Sequence, residues 1–331
     1  MDAVSVCVAG GGSWGTALAH MLAARGHVVT LWLRNEEVAH AINTHRENPR
    51  YLPGVSLDKG VTATTDPAAL HNDLLVLSVP CQQLRAWLRV YKKYFRHSLT
   101  VVNTAKGIET GSLAVCTTIA QEELDGFALR YAALSGPSFA KEVLRSLPTA
   151  VVLATHDEAS GRHLREIFSG ATFRCYSSTD VVGVEMGGAL KNVMAIAAGL
   201  CDGLELELNS RAALLTRGLA EMSRIGVACG ALERTFMGLS GLGDLILSCT
   251  GDLSRNRQVG LRLGRGESLE GTTKNLGMVA EGVKTAAAVH ELTRRLRVDA
   301  PISAAVYHIL YRGSCPREAA QSLMARTLRD E

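Results

Sequence analysis

Lys191 stands in the run GVEMGGALKNVMAIAAG, residues 183–199, and is the only Lys or Arg between Arg174 and Arg211. Most of its neighbours are small or apolar. Desolvation, together with a second cation such as Lys106, lowers a lysine's pKa toward neutrality, as a lysine general base requires. On a helix the side chain leans toward the N-terminus, over Gly187 and Gly188, which predicts an open notch beneath the amine. Asn192 beside it can orient the amine or a substrate hydroxyl. The alternative is a lysine that snorkels from a buried helix to solvent.

Other residues invite companion roles. In GLSGLGDLILSCTGDLSRNRQVG, residues 238–260, Asp244 follows two glycines and can hold Lys191 or a substrate hydroxyl. Ser254, Arg255 and Asn256 read as the cap and first turn of a helix, where a hydroxyl, a guanidinium and an amide together suit a phosphate. An ordinary capped helix with solvated arginines at 255 and 257 is the plain alternative. NTAKGIE offers Lys106 to an anion or a polarised carbonyl, and SGPSFAKE offers Gly136 and Ser138 to an oxyanion. Near the start, Gly10-x-Gly12-x-x-Gly15 follows an apolar run and opens a helix, the arrangement that brings backbone close to a pyrophosphate. The next strand ends in Arg34 rather than an acid, which favours a 2′-phosphate and so NADP(H) over NAD(H).

These residues need elements to position them. Short β-rich runs at 5–9, 28–33, 74–79, 99–103, 131–134 and 150–154 alternate with helix-like segments. That alternation predicts an α/β domain over 1–180, a Rossmann-like, mostly parallel sheet with helices on both faces. Beyond Asp180 long Ala- and Leu-rich stretches at 181–201, 211–229 and 282–296 predict an all-α second domain over 181–331. No low-complexity linker separates the halves, so a tight interface with a cleft along it is expected.

Bulk properties narrow the class. The 331 residues are 47% hydrophobic and 20% charged, as in ordinary globular proteins, and a net charge of +3 without like-charge runs argues against a nucleic-acid partner. Eight cysteines without a C-x-x-C pair or metal-ligand spacing read as buried, reduced thiols, with no metal. Neither a signal peptide nor a membrane span is indicated, so a cytoplasmic protein is expected. The helical half offers a surface for a homodimer.

The stretches GGGSWGTALA, NTAKGIE, SGPSFAKE, GVEMGGALKN, LTRGLAEMSRIG, MGLSGLGDL and SCTGDLSRNRQVG, in this order over 10–260, resemble the bacterial NAD(P)-dependent glycerol-3-phosphate dehydrogenase family. VAEGVKT (279–285) and APISAAVYHILY (300–311) extend the similarity. Gly11, where the family often has alanine, is the one departure in these signatures. The resemblance implies that Ser13, Trp14 and Arg34 contact the dinucleotide beside Gly10, Gly12 and Gly15, with Lys106, Ala140, Arg255, Val279 and Glu281 also lining it. Lys106, Gly136, Ser138, Lys191, Asp244, Ser254, Arg255 and Asn256 would hold sn-glycerol 3-phosphate or dihydroxyacetone phosphate. Lys191 would be the proton acceptor, Lys106 would steady the developing oxyanion, and Asp244 would complete the catalytic set. Supply of sn-glycerol 3-phosphate for phospholipid synthesis would be the cellular role.

Rival readings make different demands. A lactate- or malate-type dehydrogenase relies on a histidine acid/base, yet no histidine occurs from 164 to 289. Lysine-using β-hydroxyacid dehydrogenases do not call for the Ser254-Arg255-Asn256 grip. An inert NADPH sensor would not need Lys191, Lys106 and Asp244 together.

Overall fold

The structure, a computed structural model, describes residues 3–276 and 280–327. The chain divides into two compact units, one of Met1–Lys106 with Cys116–Val184 and the other of Gly107–Val115 with Glu185–Glu331.

The first unit is built on one eight-stranded sheet. Its strands are β1 (Ser5–Ala9), β2 (Val28–Trp32), β3 (Val61–Thr64), β4 (Leu74–Leu77), β5 (Ser98–Asn103), β6 (Ala128–Ser135), β7 (Thr149–Ala154) and β8 (Phe173–Ser178). The order is β3-β2-β1-β4-β5-β6-β7-β8. Every neighbouring pair is parallel except β6 and β7, where Leu134 lies opposite Leu153. Val6, Cys7, Val8 and Ala9 of β1 are fully buried, as expected of a central parallel strand covered on both faces. The chain reverses its winding direction at β1 and β4, and ligands of open α/β sheets bind past the strand ends at such a point.

The α/β domain followed by helices matches the sequence expectation, including the strand over 5–9. Two strands escaped it, β3 and β8, and both are sheet edges. Their residues alternate between buried and solvated, as VTAT and FRCYSS do, so neither shows the apolar run that marks a central strand. The cysteines follow expectation only in part. Cys7, Cys81, Cys116, Cys175 and Cys249 are buried and all eight are free, but Cys315 is exposed.

The second unit is helical. The Val181–Gly203 helix begins in the first unit and carries Lys191 into the second. It is long and apolar enough to cross a bilayer, yet 89% of its most apolar stretch is buried in the protein, which makes it a core helix. Gly199 and Gly203 on this helix meet the Arg255–Gly264 helix backbone to backbone, at the Arg257 and Leu261 carbonyls, and Gly260 answers at the Ile196 carbonyl. A side chain at any of these glycines would push the two helices apart. Glu221, in the Glu207–Ala228 helix, is buried and accepts from the Ile302 and Ser303 amides at 2.9 and 2.8 Å, capping the Pro301–Arg312 helix. Burial raises the pKa of this carboxyl, against the lowering effect of those hydrogen bonds.

Candidate active site

The glycine turn joins β1 to the Ser13–Ala24 helix. Gly10 has φ +127°, and a Cβ there would lie 2.6 Å from the Ser78 carbonyl oxygen, so both conformation and space demand glycine. A Cβ on Gly15 would run into the Gly10 carbonyl, so the helix can sit on the turn only without one. At Gly11 a Cβ would lie 2.7 Å from the Leu33 Cβ, so this chain's departure from the family's alanine goes with the close approach of Leu33. Gly12 differs from the other three. A Cβ there would meet nothing of the protein within 4 Å, and no side chain caps the helix it begins. Open space over uncapped amides is what a pyrophosphate requires.

Around this turn lie residues that sequence reasoning missed. Asn48, fully buried, donates to the Gly11 carbonyl at 3.0 Å and to Thr16 Oγ1 at 2.9 Å, and it accepts from the Tyr51 amide. It clamps the loop from outside. Ser78 and Thr104, just past β4 and β5, share a hydrogen bond of 2.7 Å. Of the expected dinucleotide contacts, Ser13 donates to the Tyr51 carbonyl, and Trp14 packs against the core with its indole Nε1 unpaired. Arg34 is exposed past β2 and makes no ion pair or side-chain hydrogen bond among the described residues. Ala140 begins a short helix, Ala140–Leu144. Glu281 begins the Glu281–Leu296 helix, and Val279 lies outside the described residues.

The structure brings Lys106, Gly136 and Ser138 together. Lys106 Nζ and Ser138 Oγ both donate to the Gly136 carbonyl, at 3.2 and 3.0 Å. Gly136 has φ +139°, and a Cβ on it would come within 2.9 Å of Val151 Cα, so the loop lies on β7 at this point.

Lys191, Asp244 and Ser248 form a compact buried cluster. Lys191 Nζ lies 3.0 Å from Asp244 Oδ1 and donates to Ser248 Oγ at 2.6 Å, while Ser248 Oγ donates to Asp244 Oδ1 at 3.4 Å. Lys191 is 8% exposed and Asp244 1%, so the lysine does not snorkel to solvent. The expected notch is corrected at Gly187. A Cβ there would lie 2.6 Å from the Ser240 carbonyl, so the glycine admits a neighbouring backbone rather than leaving a void. Ser248 went unnoticed in the sequence, although it lies one helical turn from Asp244, where side chains share a face. Burial pushes the nearby Cys249 thiol up to about 12, so it is neutral at pH 7 and not a nucleophile.

Ser254 caps the Arg255–Gly264 helix as expected, accepting from the Arg257 amide at 3.3 Å. Arg255 is exposed. Arg257, by contrast, is buried and not solvated, pairing with Asp202 at 2.7 Å and Asp252 at 2.8 Å. Asn256 donates to Asn192 Oδ1 at 2.9 Å and accepts from the Gly282 amide at 3.0 Å. The residue beside Lys191 is therefore tied to the Arg255–Gly264 helix.

In one unit the arrangement offers open space over an uncapped glycine turn, and in the other a buried lysine bonded to a carboxylate and a hydroxyl. Comparison with known proteins points the same way. The N-terminal domain of NAD-dependent glycerol-3-phosphate dehydrogenases matches residues 5–161 and the C-terminal domain matches 180–321. A glycerol-3-phosphate dehydrogenase (NAD(P)+) of Desulfovibrio desulfuricans is 68% identical over 330 residues, covering 100% of this chain and 99% of that protein. One from Nitratidesulfovibrio vulgaris is 56% identical, covering 99% of this chain and 100% of that protein. The crystal structure of the Coxiella burnetii glycerol-3-phosphate dehydrogenase superposes with a TM-score of 0.93 at 36% identity, over 98% of this chain and 99% of that one. With both domains matched in order, the chain belongs to the NAD-dependent glycerol-3-phosphate dehydrogenase family of oxidoreductases.

Proposed function

We propose that the protein interconverts dihydroxyacetone phosphate and sn-glycerol 3-phosphate with a nicotinamide dinucleotide, Lys191 acting as the general acid and base. The observation that carries this is the buried Lys191, bonded to Asp244 and Ser248 in a chain of this family. The open space over Gly12 and the uncapped start of the Ser13–Ala24 helix fit a pyrophosphate, with Ser13, Trp14, Arg34, Ala140, Arg255, Val279 and Glu281 as further contacts. When bound, the nicotinamide supplies or accepts the hydride. In reduction the Lys191 ammonium gives its proton to the forming C2 alkoxide; in oxidation the neutral amine removes the proton of the C2 hydroxyl. Asp244 and Ser248 hold Nζ in place for both directions. Lys106 stabilises the developing negative oxygen, while Gly136 and Ser138 line the substrate. Ser254, Arg255 and Asn256 fix the phosphate, converting remote binding energy into orientation.

The uncommitted guanidinium of Arg34 supports NADP(H) as the preferred cofactor, with NAD(H) as the alternative. Supply of glycerol 3-phosphate to phospholipid synthesis in the cytoplasm is the cellular role this reading carries. The test is NADPH oxidation followed by absorbance, with dihydroxyacetone phosphate set against dihydroxyacetone and then repeated with NADH. Turnover of the phosphorylated ketone alone is expected. Equal turnover of both ketones, or none despite NADPH binding, would overturn the substrate assignment. Arg34→Ala should raise the KM for NADPH about tenfold and leave that for NADH nearly unchanged.

A further inference from the structure

The first unit carries a second concavity, at the opposite end of the Ser13–Ala24 helix from the glycine turn. It measures about 260 Å³, and His20, Met21, Arg25, Ser146, Gly170 and Phe173 are among its lining residues. No carboxylate is in that lining. Arg25 is held rigidly: Nε donates to the Ile167 carbonyl at 2.9 Å and Nη2 to the Glu166 carbonyl at 3.0 Å. Its remaining nitrogen, Nη1, packs against Gly170 in the cavity wall, where a Cβ would collide with it. Among the described residues Nη1 has no hydrogen-bond partner. His20 accepts from the Asp58 amide through Nδ1 at 2.9 Å, which fixes the neutral ring as an Nε2–H donor. Burial holds its pKa below the ordinary histidine value, so the ring is neutral at pH 7. The rest of the wall includes Met21, Val143, Leu147 and Phe173.

An oriented cation, a fixed donor, apolar walls and no acid define what fits. We propose that this cavity binds a compact organic anion, a short-chain carboxylate whose head pairs with Arg25 Nη1 and whose tail lies against Met21, Val143, Leu147 and Phe173. At about 30 Å³ per water-sized group, the cavity takes roughly eight or nine non-hydrogen atoms, the size of hexanoate. His20, the lining residue nearest the turn on this helix, is seven residues past Ser13, about 10 Å along the axis, so the anion and the dinucleotide do not compete.

The test is calorimetric titration of hexanoate into the full chain saturated with NADPH, with hexanol as the uncharged control. Saturable binding of one hexanoate per chain is expected, at least about tenfold tighter than hexanol. Ser146→Asp sets a carboxylate at the mouth of the cavity and should weaken hexanoate at least about tenfold. Ser146 has φ +55°, a conformation that Asp tolerates well, and its side chain makes no hydrogen bond within the described residues. The variant should therefore keep the melting temperature and NADPH affinity of the parent. Ala171→Trp, which fills the exposed rim, should abolish binding without altering either property. Absence of saturable hexanoate binding, equal binding of hexanol, unchanged affinity in Ser146→Asp, or displacement by NADPH would each overturn the assignment.

Discussion

The candidate sites in the two units are made of opposite materials. At the glycine turn the sheet unit offers backbone and removes side chains, to the point that Gly12 faces nothing within 4 Å. At Lys191 the helical unit offers side chains bonded to one another, lysine to carboxylate and hydroxyl, with the lysine 8% exposed. On the proposed function, the first kind would lose its ligand when atoms are added, and the second would lose its proton carrier when atoms are taken away.

The sharpest way to break the comparison is to remove the amine. Lys191→Ala is expected to lower kcat by about 100- to 10,000-fold or more. It also takes the Lys191 ion pair from the buried Asp244, which costs up to about 3–5 kcal/mol of stability. The three tryptophans, at 14, 32 and 87, all lie in the sheet unit, so their fluorescence reads NADPH binding there even where the helical unit is loosened. NADPH affinity within about twofold of the parent, with turnover gone, separates the two roles. An active variant would falsify the assignment of Lys191.

Adding atoms at the turn gives the next largest effects, and two neighbouring glycines should answer differently. Gly15→Ala forces a methyl into the Gly10 carbonyl and should destabilise the protein by about 1–3 kcal/mol, read as a lower melting temperature. Gly12→Ala meets no protein atom and should leave stability within about 0.5 kcal/mol while weakening NADPH about tenfold or more. If Gly12→Ala binds NADPH as the parent does, the open space is not the pyrophosphate site.

The same contrast explains what could be read from the sequence. Glycines at fixed spacing after a buried strand announce a turn because the constraint is local, and Ser254 is recognisable as a cap for the same reason. A lysine alone in an apolar helix is conspicuous by composition. Its partners are less so: Asp244 could be named only as a candidate, and Ser248 was missed because a serine four residues on has no distinguishing neighbour. Asn48 is harder still, since its hold on Gly11 joins positions 37 apart and leaves no periodic trace. At Gly187 the sequence suggested a notch, whereas the glycine serves the approach of Ser240 from a segment far along the chain. Absence of a side chain is legible; which neighbour uses the space is not.

A milder change tests how the lysine is held. Ser248→Ala removes the hydroxyl at 2.6 Å from Nζ but keeps the Asp244 pair, so kcat should fall about tenfold with KM little changed. Ser248→Thr, which keeps a hydroxyl within reach of the amine, should restore kcat. An unchanged kcat in Ser248→Ala would reduce Ser248 to packing.

The smallest expected effects come from two buried carboxylates, one in each unit, that respond to pH in opposite senses. In the sheet unit Glu123 is held below the usual carboxylate range, chiefly by its hydrogen bond from Arg89, with Arg85 adding to it. Its stabilisation is present above the unfolded value of about 4.3 and is lost as pH falls through the lower folded value. In the helical unit Glu221 is raised by burial, so the folded state there binds protons more readily than the unfolded chain. That contribution weakens the fold as pH rises from about 4.3 through the higher folded value. Glu123→Gln should therefore flatten the loss of urea midpoint between about pH 5 and pH 3, while Glu221→Gln should steepen it, because the opposing trend has been removed. Glutamine keeps one amide-accepting oxygen for Ile302 or Ser303, which limits the loss at neutral pH to a hydrogen bond of about 1 kcal/mol. Parallel responses of the two variants would show that charge pairing and burial do not divide between the units as the geometry of these carboxylates requires.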